Sequence, residues 1–271
     1  MIKKIKNQKS KIKRFLKIFF LFANFSLKTT FQTRWGIVFF VIGKLLRFFF
    51  LLGFLFLVFS KTKSLYGYSF NETAIFFMTF NLIDNAAQFL FREVYRFRPL
   101  IISGGFDLVL VKPYHPFLKV LIGGVDYMDL FTLVLYLLIT LHFALKLSSI
   151  SLTNILLYLL LLINGVVIAT AFHIIVLALG ILMTTVDHTI MIYRDLTSIG
   201  RFPLDIYREP IRFIFTFIFP IALMMNLPAQ VLIGKFQWQL IAVAVVFAFG
   251  LLGFSVLLWR NAVKHYQSWG G

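Results

Sequence analysis

Long apolar runs separated by short charged stretches set the pattern of this chain. About 20 apolar residues in a helix cross about 30 Å of hydrocarbon. By that measure spans fall at about Gly36–Phe59, Phe70–Phe91, Leu118–Leu145, Leu152–Leu179 and Phe236–Trp259. Lys44 and Arg47 interrupt the first, and the third carries Asp126 and Asp129 near its start. A tight turn, Ser148–Ser151, separates the third from the fourth. Between Gly180 and Lys235 two readings stand. Hydropathy favours one span at about Ile211–Ile233, despite Pro220 and Pro228. The other crosses at about Asp187–Phe202 and dips back as a re-entrant hairpin through Ile211–Val231, which other helices must cover. Arg201, Arg208 and Arg212 argue for the first, because basic residues concentrate on the cytoplasmic side. Both readings give an all-α polytopic membrane protein with six crossings and both termini cytoplasmic.

The ends and loops refine this. Eight basic residues and no acid occupy the first seventeen positions, and the apolar patch Phe15–Leu27 follows. A cleaved signal peptide is one reading. Lys17 and Asn24 inside the patch, the lack of a small-x-small site, and the run into Lys28 and Arg34 favour the other: a basic tail and interfacial helix over 1–35. The loop 92–117 opens with Arg92, Arg96 and Arg98, breaks at Pro99, passes Ser103-Gly104-Gly105, and closes with Lys112-Pro113 and Pro116. A basic loop beside spans reads as cytoplasmic. Its apolar middle, Leu100–Val111, carries one acid, Asp107, and reads either as a plain turn or as a docking surface for a soluble partner. No internal repeat or low-complexity linker divides the chain, so 1–271 is one domain.

Composition agrees. Of 271 residues, 60% are hydrophobic and 18% aromatic, more apolar surface than a soluble domain of this length could bury. The net charge of +17 lies at the ends of apolar segments. Topology and anionic lipid headgroups account for it better than nucleic acid does. With no cysteine, disulfides and thiolate metal sites are excluded.

Enzymatic chemistry finds no foothold. The nearest approach to a phosphate-binding loop is Gly36…Gly43-Lys44-Leu45, where six residues separate the glycines and Leu45 cannot ligate magnesium. Gly123-Gly124-Val125-Asp126 puts valine where an intramembrane aspartyl protease needs glycine, and Asp126 reads as a helix-start acid. The five histidines show no ligand spacing. One polar constellation remains: Asn81, Asp84, Asn85 and Gln88 recur at i, i+3, i+4, i+7 and so share one helical face. That face looks into protein or a wet cavity, as helix–helix glue or as the lining of a translocation path. Matching depths predict a Lys44–Asp84 ion pair, with Arg47 as the alternative cation.

Three segments carry a family resemblance. They are Ile102-Ser103-Gly104-Gly105-Phe106-Asp107-Leu108-Val109-Leu110-Val111-Lys112-Pro113, then Gly200-Arg201-Phe202-Pro203-Leu204-Asp205-Ile206-Tyr207 with Phe219-Pro220-Ile221-Ala222, and Trp259-Arg260…Tyr266…Gly270-Gly271. In this order the chain resembles the small bacterial permeases of the ABC-2 type, departing from them at Gly105, where an acid is expected. The resemblance implies an export permease of the bacterial inner membrane with no ATPase of its own and no cofactor. ATP would be bound by a separate subunit docked on Arg98, Ser103, Gly104, Asp107, Lys112 and Pro113. A second permease, identical or related, would complete a path lined by Lys44, Arg47, Asn81, Asp84, Asn85 and Gln88. It also implies the crossing at Asp187–Phe202 and a re-entrant Pro203–Pro228. An ion-coupled carrier or channel working through the face around Asp84 is the alternative.

Overall fold

The structure, a computed structural model, describes residues 17–29, 31–32, 34–147, 150–183 and 189–268. The basic tail, the Ser148–Ser149 part of the turn, Asp187 and the last three residues lie outside them. Helix α1 covers 17–29. The long helices are α2 (Arg34–Lys61), α3 (Phe70–Phe91), α7 (Tyr127–Ala144), α8 (Leu152–Leu182) and α12 (Trp238–Lys264). Each is long and apolar enough to cross a membrane, so the protein is a multi-pass, all-α membrane protein.

Local chemistry fixes where these helices begin. Ser69 and Glu72 form a capping box at α3, with Ser69 N–H donating to Glu72 Oε2 at 2.7 Å. Ser151 caps α8, accepting from Asn154 N–H at 3.1 Å. Asp126 caps α7, accepting from Met128 N–H at 3.1 Å. That last cap corrects the expected third span, which is not continuous. A short helix α6 (Pro116–Ile122) ends at Gly123, the chain turns, and α7 starts afresh. Packing against a distant part of the chain accompanies the break: a Cβ at Gly124 would lie 2.5 Å from Glu93 Oε2, so the turn is pressed against the segment Arg92–Arg96 that follows α3.

Helix α8 is the axis of the bundle, and Leu161, Ile168 and Leu177 on it are fully enclosed. Around it pack α12, α3 and the segment after the fifth crossing. A second buried cluster joins α2, α3 and α7 through Phe48, Phe77 and Tyr136, whose rings stack 4.9–5.6 Å apart on Phe48. The outer faces of α2 and α12 instead expose Phe39, Phe50, Phe54, Val246 and Phe249, as helices solvated by lipid do.

The ambiguous region resolves through its contacts. Helix α9 (Thr189–Ser198) has ten residues and spans about 15 Å, half a membrane. One tight turn, Ile199–Arg201, and extended backbone at Phe202 continue the chain in the same direction. The crossing starts beside Arg98 and Pro99, which line a cavity with Thr189. It finishes at the opposite end of the bundle, where Tyr68 Oη donates to Asp205 at 2.8 Å. From there α10 (Ile211–Ile218) and α11 (Ala222–Ile233) meet at a 75° bend around Pro220. At the end of α11, Lys235 Nζ donates to Gly67 O at 3.3 Å and pairs with Glu72 at 2.8 Å. Asp205 and Lys235 therefore both anchor at the Gly67–Glu72 end. The segment between them enters and leaves on one side, which is the re-entrant hairpin, and hydropathy alone misread it as a span. Asn226 ties the two halves together, accepting from Leu204 N–H at 2.6 Å and donating to Gly200 O at 3.1 Å.

Candidate functional site

Two features stand out, a polar cluster between α2, α3 and α7 and the basic loop. The four polar residues of α3 all line one recess together with Lys44 and Arg47, so the shared face is real. Their partners differ from expectation. Lys44 Nζ pairs with Asp129 Oδ1 and also reaches Asn85 Oδ1 at 3.3 Å. Asn85 in turn donates to Asp129 O at 2.5 Å and accepts from Thr132 at 3.1 Å. The predicted Lys44–Asp84 pair is not formed. Lys44 and Asp84 do line the same recess, but α7 brings a fully buried carboxylate beside it, and Asn85 guides Lys44 toward that one. Asp84 instead accepts from Gln88 Nε2 at 2.7 Å, one turn along its own helix. Asn81 donates to Phe77 O at 2.6 Å.

Opposite Asp84 stand Arg194 of α9 and Arg201, which with Arg47 line a cavity of about 280 Å³. The Arg201 guanidinium lies 5.0 Å from the Phe80 ring, halfway along α3. From the sequence Arg201 counted as a charge of the cytoplasmic side and a member of a resemblance segment, and Arg194 was not singled out. The signal was present in the spacing of Arg194, Ser198 and Arg201, which puts three polar side chains on one face.

The loop is a folded platform. The α3 axis continues through a tight turn, Arg92–Arg96, into α4 (Phe97–Ile102), where Pro99 falls in the first turn and costs no helical hydrogen bond. Gly104 has φ +69°, a left-handed value that suits glycine, and reverses the chain into α5 (Gly105–Leu110). Phe106 is the rivet. It is fully buried against Phe97, Trp259 and Tyr266, with ring centroids 5.1–6.4 Å away. Ion pairs brace the far edge: Glu93 holds Lys119 at 2.6 Å, and Arg92 reaches Asp126 at 3.4 Å. Helix α1 lies across this edge, with Ser26 Oγ donating to Val125 O at 2.6 Å.

Of the residues expected to meet a partner, Ser103, Lys112 and Pro113 are exposed. Arg98 is half-buried and donates to Met183 O at 3.4 Å. Asp107 accepts from Ser268 of the C-terminal tail. Burial, and then that neighbouring carboxylate, pushes the Tyr266 phenol up to about 12. The outward face instead offers Leu108, 65% exposed, and Val111, 82% exposed, outside any span.

Residues 34–270 match the family described as ABC-2 family transporter protein. The chain belongs to this family. It is thus a membrane transport component of the ABC-2 kind, and such permeases work with a separate ATP-binding subunit. No curated protein and no solved structure matches it. Among the described residues no cluster of histidine, aspartate or glutamate could hold a metal ion.

Proposed function

We propose that this chain is the permease half of an ATP-driven exporter in the bacterial inner membrane, with both termini cytoplasmic. A separate ATP-binding subunit docks on the loop 92–117, and ATP stays with that subunit. The observation that carries this reading is the pair Leu108 and Val111, apolar side chains held out from the membrane on a braced platform. Force applied to α5 passes through Phe106 to α12 and through α4 into α3, so movement of a docked subunit would tilt two long helices at once. The concentration of Arg92, Arg96, Arg98, Lys112, Arg260 and Lys264 at this end supports the cytoplasmic assignment. A second permease, identical or related, completes the path, with the α2–α3–α9 cavity facing it.

The test is affinity capture of the tagged full chain from native membranes in mild detergent. Wild type should bring down an ATP-binding subunit, and Leu108→Glu with Val111→Glu should lose it while keeping the wild-type melting temperature. Absence of any ATP-binding protein, even after cross-linking, overturns the reading.

A further inference from the structure

The cavity beside Asp84 carries more positive charge than the protein itself neutralises. Arg47, Arg194 and Arg201 all line it. Among the described residues, no carboxylate comes within ion-pair distance of any of them. Lys44 and Asp129 satisfy each other, while Asp84, which accepts from the Gln88 amide, shares the lining with the arginines and offsets only one of their three charges. Asp195, the remaining acid on the lining, is exposed. Arg201 Nε is buried without a hydrogen-bond partner. A guanidinium halfway through a membrane is costly unless an opposite charge or water meets it. Three of them around one cavity form a fork-shaped donor set suited to the oxygens of a phosphate, sulfate or carboxylate.

Size narrows the occupant. At about 280 Å³ the cavity lies at the lower limit of the roughly 300–1,000 Å³ typical of small-molecule sites, room for a compact charged group. It suits one charged group of a larger molecule. Phe80 and Met191 complete its wall, and the adjoining recess, which shares its arginines, adds Phe48 and Leu51. We propose that the cavity binds the anionic group of the transported compound, with the arginines of α2 and the fifth crossing closing on it from two sides. Transport of that compound rests on the permease reading above; the binding itself does not.

The experiment uses the purified full chain in a neutral detergent. Phosphatidylglycerol and phosphatidylcholine with the same acyl chains are titrated in turn, and bound lipid is counted by native mass spectrometry. Wild type should prefer phosphatidylglycerol by about tenfold or more, the contribution of one or two charge-assisted hydrogen bonds. Arg194→Gln with Arg201→Gln should reduce the preference to near unity. Ser198→Asp, which adds a carboxylate to the lining and leaves both arginines in place, should do the same. Lys61→Gln with Lys63→Gln, at the opposite end of the bundle, should keep it. Competition with inorganic phosphate then identifies the source: displacement assigns the site to small soluble anions, and no displacement assigns it to anionic amphiphiles. Equal binding of the two lipids by wild type, or a preference that survives in both cavity variants, overturns the proposal. The assay needs no ATP-binding subunit. Loss of subunit capture with the lipid preference intact therefore overturns only the permease reading, and the converse overturns only the anion site.

Discussion

Lys44 of α2 pairs with Asp129 of α7 across the face of α3, and Asn85 of α3 touches both. The carboxylate is fully buried and the ammonium largely so, which makes the pair an intramembrane clamp joining three helices. Removing either partner leaves the other charge stranded. Asp129→Asn or Lys44→Met should each cost about 3–5 kcal/mol. The double change Lys44→Met with Asp129→Leu should cost less than the sum, because no charge is then left alone. Thermal unfolding of the four proteins in one detergent measures the coupling. Additive losses would show that the pair contributes no mutual stabilisation.

The hairpin makes a topological prediction. Because the chain has no cysteine, single substitutions report side directly. Ser64→Cys, Glu209→Cys and Gln237→Cys should react with an impermeant maleimide added from one side, and Ser103→Cys only from the other. A full span over Ile211–Ile233 would instead place Glu209 with Ser103. Reaction of Glu209→Cys and Ser103→Cys from the same side would therefore remove the re-entrant hairpin.

Close approach of α8 and the hairpin depends on Gly165. A Cβ there would lie 2.6 Å from Met224 O and 2.8 Å from Ile83 Cδ1. The first neighbour is backbone and cannot rotate away. Gly165→Ala should lower stability by about 1–3 kcal/mol, the usual cost of overpacking. Gly250→Ala, where nothing lies within 4 Å, should change it little and serves as the control. Equal melting temperatures for the two variants would mean that α8 and the hairpin are not in contact.

Hydrophobic run length was enough to place α2, α3, α8 and α12 within a few residues, because a long apolar helix depends on little beyond its own sequence. The face of Asn81, Asp84, Asn85 and Gln88 was equally legible, since its spacing is a property of one helix. What failed were questions about pairs of elements. Lys44 had two acids at a similar depth, and only the packing of α7 on α3 decides for Asp129. Arg194 and Arg201 belong to a crossing continued by a tight turn and extended backbone, which a hydropathy window cannot register. The break at Gly123 goes with packing on Glu93, thirty residues earlier. Its mark in the sequence was the glycine pair before Asp126, which the unbroken reading of that span passed over.

The last prediction concerns the hairpin's anchor. Tyr68 Oη donates to Asp205, which also accepts from Gln230 at 3.0 Å and pairs with Arg212 at 2.5 Å. Burial, and then the hydrogen bond to this carboxylate, hold the phenol above its ordinary range. An unfolded tyrosine loses its proton near pH 10, about the ordinary value. Between that point and the higher folded value the folded chain keeps a proton that the unfolded chain has lost. The contribution of Tyr68 is therefore complete below about pH 10 and declines as pH rises further. Tyr68→Phe should cost about 1.5–3 kcal/mol at neutral pH, the range for a hydrogen bond to a charged group. The gap between wild type and variant should narrow above about pH 10. Lys235, 4.8 Å over the same ring, is present in both proteins and cancels in the difference to first order. Melting curves of the pair at pH 7, 9 and 10.5 decide the matter, and a gap independent of pH would show that the proton on Tyr68 does not hold the hairpin down.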